Sequence, residues 1–440
     1  METKQFMISI NYIIFFLDSY FQAIKKNYKI FITFLIFLSL IGKVIILMFY
    51  DVPQPPDARK YADIIEYYRS IGNVALLENQ IELSLQLILA APYMKVYPII
   101  IYFLGINVVI TLQIIISSLG IYLIFNISKV ITKNIGTSCI VAFLYCCNPF
   151  ITYYSLLTQY ESFFIFFLLL GVNLFLHNRK ISSYLIFILA IFINPTVEIA
   201  IPLFILSSSI FFFKNKISDS IKNLIIFLAI YLFFLSLNIY NNYKVLGTFE
   251  RFYVISIFSL EYNEAYAKHG LNFDEIYKLH NKVISETCPV DPNRVDDIYY
   301  QWIDLRLCSN KALKRMSYDY ITNTENTFQI VKDTFSRAER LFSIYPYDTK
   351  ERHVKVISSM YYLFLYLFVI IFFTNMSFLK NKNFYPIFIL IIFSLGVYLL
   401  VHAVFRYRVA YDPFLMIFAS CAINSILHRI YMKYSNNHPS

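Results

Sequence analysis

The sequence predicts an all-α, polytopic membrane protein of about ten transmembrane helices with an extracytoplasmic loop domain. Three observations carry the prediction. Of the 440 residues, 58% are hydrophobic and only 15% are charged, where a soluble domain carries about a quarter charged. Apolar runs on the order of 20 residues long recur through most of the chain, each enough to cross ~30 Å of hydrocarbon as a helix. The runs also lack the short apolar–polar alternation of an outer-membrane barrel. A soluble core cannot absorb so much apolar sequence.

Taken in order, the runs lie at 29–49, 106–128, 136–152, 161–177, 181–194, 196–213, 221–241, 356–376, 384–403 and 410–430. The fifth and sixth are short and meet at Asn194–Pro195. A proline cannot continue the backbone ladder, so this pair reads either as two crossings or as one broken helix. The basic residues then set the orientation. Lys25, Lys26 and Lys29 stand at the start of the first run, Lys129 and Lys133 after the second, and Arg179 and Lys180 after the fourth. Lys214, Lys216 and Lys222 separate the sixth and seventh, Lys380 and Lys382 follow the eighth, and Arg429 and Lys433 follow the last. With ten crossings all of these fall on one side, which places both termini in the cytoplasm. No cleavable signal peptide is read at the N-terminus, because its apolar stretch has no small-residue cleavage site and is followed by lysines.

Three regions result. Residues 1–241 form an N-terminal transmembrane module with a first extracytoplasmic loop at 50–105. Residues 242–355 form a large polar extracytoplasmic region with the only tryptophan, Trp302, and a helical stretch at 300–343. Residues 356–440 form a C-terminal transmembrane module. Function is expected on the outer face, where loops are held by a rigid scaffold. The net charge of +10 comes from basic pairs beside apolar runs; it reads as topology and lipid-headgroup contact, with no nucleic-acid partner. Neither GxxxxGK[ST] nor GxGxxG occurs, so no nucleotide site is expected. The six cysteines have no metal-type spacing. Cys288 and Cys308 share the polar outer region and fit either a disulfide or two free thiols. Asp291, Asp296 and Asp297 lack regular ligand spacing, so a divalent metal is not predicted.

Chemistry-bearing residues concentrate near the outer ends of the runs. Asp57, in PPDARKYADII, is placed either to N-cap the helix that begins at Ala58 or to serve as a general base at the membrane surface. Tyr61 shares its helical face. In HAVFRYRVAYDPF, two arginines and a histidine sit between apolar runs, a costly arrangement that calls for an anion nearby. Arg406 and Arg408 point apart on a helix and together on an extended strand. Either both meet the anion, or one meets it while the other pairs with a carboxylate such as Asp412. Snorkelling to headgroups is the plainer alternative. His402 is a packed polar residue or an acid, and Lys95 an interfacial anchor or an anion contact. Glu161 and Glu198 are carboxylates at the membrane edge, where an acid is a functional candidate. Tyr345 and Tyr347, in SIYPYD, belong to an aromatic belt or lean over a substrate.

The stretches PDARKY, PYMKVYPIIIYFLGINVVITLQIIISSLGIYLIF and NPFITYYSLLTQYESFFIFFLLLGV resemble the front half of the GT-C superfamily of membrane glycosyltransferases. The likeness is to the bacterial branch of aminoarabinose transferases and protein O-mannosyltransferases. YNNYKVLGTF, ALKRMSYDYITNTENTFQIVKDTFSRAERLFS and FRYRVAYDPFLMIFAS resemble the rear half in order. The resemblance implies a polyprenyl-phosphate sugar donor and transfer on the extracytoplasmic face of the bacterial inner membrane. The acceptor would be a glycan, a lipid or a protein. It implies that Asp57 matches the first-loop catalytic aspartate, that Glu161 supports it, and that Arg406, Arg408 and Lys95 hold the donor phosphate. Tyr61, Tyr345, Tyr347 and His402 are the corresponding substrate contacts. No cofactor is implied beyond the donor itself. A transporter or lipid flippase, and a polymerase of lipid-linked glycans, are the alternative functions.

Overall fold

A computed structural model describes residues 26–49, 97, 100, 101, 103–246, 327–344, 352–375, 378, 380–400 and 405–437. Every regular element among them is helical. In chain order these are α1 (Tyr28–Phe49), α2 (Ile106–Thr132), α3 (Ile135–Cys146), α4 (Pro149–Ser155), α5 (Glu161–Leu176), α6 (Lys180–Ile193) and α7 (Ala200–Ser207). Then follow α8 (Ile217–Leu246), α9 (Thr327–Leu341), α10 (Arg352–Thr374), α11 (Tyr385–Leu400), α12 (Phe405–Arg408) and α13 (Asp412–Asn437). Six of them, α1, α2, α8, α10, α11 and α13, are long and apolar enough to cross a membrane. A seventh is reached if α3 and α4, bent by 52° at their break, act as one span. Glu161–Leu176, Lys180–Ile193 and Ala200–Phe212 are shorter apolar helices. The described residues are all-helical, with long apolar helices of the kind that an integral membrane protein has.

The 136–152 run, expected to be a single helix, is broken, and the cause is local. Asn148 Oδ1 accepts from the backbone N–H groups of Phe150 at 2.9 Å and Ile151 at 2.8 Å. Pro149 follows at the first helical position. An asparagine cap with proline behind it restarts a helix, since it satisfies orphan donors and the proline has no N–H to lose. At the second elbow, Asn194 Oδ1 accepts from Thr196 N–H at 3.2 Å and from Thr196 Oγ1 at 2.7 Å. Here the chain reverses. Lys180, at the start of α6, donates to Asn223. Beyond the elbow, Phe211 packs edge-on against Tyr385 at the start of α11, with 5.2 Å between ring centroids. Asn194 and Thr196 instead meet Tyr398 near the far end of α11. The two short helices are therefore a hairpin, and the reading of one broken helix is set aside.

The same kind of contact collects the basic residues at one end of the bundle. Lys129 Nζ lies 5.0 Å above the Tyr28 ring, Asn383 Nδ2 donates to the Ile131 carbonyl at 3.4 Å, and Phe384 packs on Phe418. We call this the basic end. Around the bundle, α3 packs against α1, α2 and α13, α2 against α5, and α5 against α6. On the other side, α13 packs against α10, and α7 against α11. Phe372, Phe388 and Phe418 join α10, α11 and α13, with Phe388 and Phe418 stacked at 4.6 Å. The outward faces of α1, α8 and α10 are apolar, with Phe34, Phe37, Phe233, Leu363 and Leu367 all exposed. Apolar side chains turned outward on long helices are what a hydrocarbon solvent requires.

Helix contact inside a membrane relies on close packing at small residues. At Gly171 in α5, an added Cβ would lie 2.6 Å from the Phe187 ring of α6. Phe187 is fully buried and held edge-to-face by Phe204, while Ser183 donates to the Gly171 carbonyl at 2.8 Å. By contrast, a Cβ at Gly396 meets nothing within 4 Å. Gly171→Ala is therefore expected to destabilise by about 1–3 kcal/mol through overpacking. Gly396→Ala is expected to gain up to about 1 kcal/mol from helix propensity. Thermal unfolding of both variants in detergent checks the contrast.

Candidate functional site

The buried charges of the spans gather at the end away from the basic loops. The largest group surrounds Arg408, which closes α12. Its guanidinium and the Asp412 carboxylate are both fully buried, with Nε 3.1 Å from Oδ1. Nη1 donates to the carbonyls of Leu341 at 3.1 Å and Ser343 at 2.9 Å. The guanidinium carbon lies 4.2 Å from the Tyr362 ring centroid and 5.5 Å from that of Tyr366. On the other Asp412 oxygen, the Tyr362 hydroxyl donates a short hydrogen bond. Asn148 Nδ2 in turn donates to the Tyr362 oxygen at 3.3 Å. One polar chain thus runs from the α3–α4 break through α10 to the start of α13 and on to the end of α9.

Arg408 has five N–H donors. Nε and Nη1 are committed, whereas Nη2 finds no acceptor among the described residues. Leaving a buried charged donor unmet costs about 1–3 kcal/mol or more, so this edge is the least satisfied part of the pair.

A second group surrounds Glu161, the buried first residue of α5. Its carboxylate sits at a helix N-terminus, where the backbone dipole favours negative charge. Beside it the chain 156–160 is held from α2: Gln113 Nε2 donates to the carbonyls of Leu157 at 2.9 Å and Gln159 at 3.1 Å. The Tyr97 hydroxyl donates to Gln113 Oε1 at 2.7 Å and lies within electrostatic reach of Glu161. The Tyr97 ring packs edge-on against Phe163 at 5.9 Å.

A third group was not anticipated. Lys43, two turns from the end of α1, is buried and points inward. It donates to Ser117 Oγ through a short hydrogen bond and to Ser118 Oγ at 3.3 Å, and the Ser39 and Ser118 hydroxyls are 3.1 Å apart. Cys146, at the α3–α4 break, lies within electrostatic reach of the ammonium. The other carboxylate foreseen at a membrane edge, Glu198, accepts from the Tyr231 hydroxyl beside the Asn194 elbow.

Of the residues singled out from sequence, Glu161 and Arg408 are described and both lie at this end. Arg408 takes the carboxylate pairing with Asp412, one of the two arrangements that the sequence allowed. Arg406 belongs to the same helical turn, and its side chain lies outside the described residues. Asp57, Tyr61, Lys95, Tyr345, Tyr347 and His402 also lie outside them, as do Cys288 and Cys308. Among the described residues no three His, Cys, Asp or Glu side chains come together as a metal site would need. The missed residues carried signals: Asn148 precedes a proline, and Lys43 is a lone charge in an apolar run. No family model, curated protein or solved structure matches the chain.

Removing one partner of a buried pair leaves an uncompensated charge, whereas replacing both with apolar residues does not. Asp412→Ala is expected to lose about 3–5 kcal/mol, and Arg408→Met/Asp412→Leu to recover most of that loss. Lys43→Met is expected to be neutral or stabilising, because the ammonium is held by the Ser117 and Ser118 hydroxyls and its removal strands no opposite charge among the described residues. Unfolding midpoints in detergent measure all three.

Proposed function

We propose that the protein is an integral-membrane glycosyltransferase of the GT-C type, moving a sugar from a polyprenyl-phosphate donor to an acceptor on the extracytoplasmic face. In this reading the seven longer spans and the three shorter helices make ten crossings, with the basic end in the cytoplasm of a bacterial inner membrane. The observation that carries the reading is the segregation of charge: the buried Lys43, Glu161, Arg408 and Asp412 and the half-buried Glu198 all lie toward the end opposite the basic loops. Charge inside a membrane is costly, which makes each such residue a functional candidate.

Asp57 takes the proton from the acceptor as its oxygen attacks the anomeric carbon. The bond from that carbon to the phosphate oxygen breaks, the configuration inverts, and the electron pair leaves with the polyprenyl phosphate. Arg406 meets the departing phosphate, Arg408 adds its open Nη2, and Lys95 contributes from the first loop. Fixed cations at that place favour the transition state over the ground state, because charge grows on the phosphate as the bond breaks. Glu161 orients the acceptor. The Asp412 carboxylate holds Arg408 in place. Tyr61, Tyr345, Tyr347 and His402 line the substrate.

A transporter or flippase is the second reading, favoured by the α3–α4 break and by Lys43, since discontinuous helices beside intramembrane charge also suit transport. One assay separates the two. Vesicles containing the protein receive a radiolabelled polyprenyl-phosphate sugar and a membrane extract as the source of acceptor. A transferase moves label from donor to acceptor, and folded Asp57→Asn slows this by about 10²–10⁴-fold. Movement of the labelled lipid between leaflets without transfer, or full transfer by Asp57→Asn, would overturn the proposal.

A further inference from the structure

Helix α9 lies at the same end of the bundle and has two unlike faces. Val331, Phe335 and Phe342 recur at helical spacing, and all three are exposed, Phe335 by 72%. Lys332 and Glu339, also exposed, occupy the arc beside them. The other side of the helix is fixed to the protein. Arg337 is buried and donates from Nη1 to the Leu399 carbonyl at 2.9 Å. Leu341 is fully buried, and its carbonyl accepts from Arg408. Val331 and Phe335 are thus turned away from the protein on a helix that is pinned from behind, and Phe342, just past its end, stays partly exposed on the same side.

What surrounds them is set by place. Leu399 is in the last turn of α11, a membrane-length helix. The Phe342 ring meets Tyr366 of α10 edge-on at 6.3 Å, and α10 exposes Met360, Leu363, Phe364 and Leu367 on its outward side. The stripe of α9 therefore continues the apolar rim of the bundle.

We infer that α9 is a membrane-seated amphipathic helix: Val331, Phe335 and Phe342 insert among the lipid chains of the leaflet away from the basic loops, and Lys332 and Glu339 stay at headgroup level. A helix with one apolar and one charged face settles about 5–10 Å into the boundary between headgroups and acyl chains. Because α9 ends in the carbonyls that Arg408 holds, its lipid seat and the Arg408–Asp412 pair are mechanically joined. The inference needs no glycosyl transfer and stands apart from the chemistry proposed above.

Depth-dependent quenching tests it in the full chain. Phe335→Trp in a Trp302→Phe background makes position 335 the only tryptophan. The protein is reconstituted into phosphatidylcholine vesicles brominated near the glycerol end or near the tail end of the acyl chain. The expected result is quenching about twofold stronger with the shallow bromines than with the deep ones, as a boundary-seated helix requires, and none by aqueous iodide. Quenching by iodide with no bromine effect would place the helix in water. Insensitivity to both would mean that protein covers the stripe, a second copy of this chain included. Either result overturns the inference. Val331→Trp in the same background gives an independent readout if Phe335→Trp does not fold.

Discussion

The structure turns on one buried ion pair. Arg408 and Asp412 sit four residues apart across the junction of α12 and α13, out of contact with solvent. A pair in such a place survives only when its remaining donors and acceptors are met. The partners here come from three parts of the chain: Tyr362 from α10, Asn148 from the α3–α4 break by way of Tyr362, and the carbonyls of Leu341 and Ser343 at the end of α9. Removing either charge would strand the other and release the elements that converge there. The pair thus fixes how the C-terminal spans meet the N-terminal ones.

That constraint explains the division of the molecule. Toward the basic end, contacts are made by stacked phenylalanines such as Phe372, Phe388 and Phe418, and charge is left to the loops. Toward the other end, Lys43, Glu198, Arg408 and Asp412 are held by hydroxyls and carbonyls, and Glu161 is buried at a helix N-terminus. Stacked rings are prominent in one half, and hydrogen bonds to buried charge in the other. In the second half one donor, Nη2 of Arg408, is left without an acceptor among the described residues.

Much of the helical plan was legible because the solvent imposes it. Long apolar runs must be helices, and lysines must sit at their ends, so the positions of α1, α2, α8, α10, α11 and α13 followed from the runs and the basic pairs. The helical reading of 300–343 also holds for α9. Local chemistry inside the runs was harder. Asn148–Pro149 was hidden in a stretch whose average hydropathy suited one span, although two cap hydrogen bonds break it. Lys43 was hidden in the same way, since one lysine hardly changes the average of an apolar run. The Asn194–Pro195 elbow left two geometries open, and only a contact to a distant residue settles on a hairpin: Asn223 meets both Lys180 at the start of α6 and Ser209 just past α7. Arg408 shows the same limit: its choice of Asp412 over an external anion depends on Tyr362 and Leu341, which are remote in sequence.

The account rests on an anionic lipid carrier held at the end where α3, α10 and α13 meet. Its most direct test is a structure determined with bound polyprenyl phosphate. The account predicts a phosphate within hydrogen-bond distance of Arg406, near the Arg408–Asp412 pair, with the prenyl chain running out between the spans. A phosphate seated among the lysines of the basic end, or a lipid bound with its phosphate in contact with neither arginine, would contradict it.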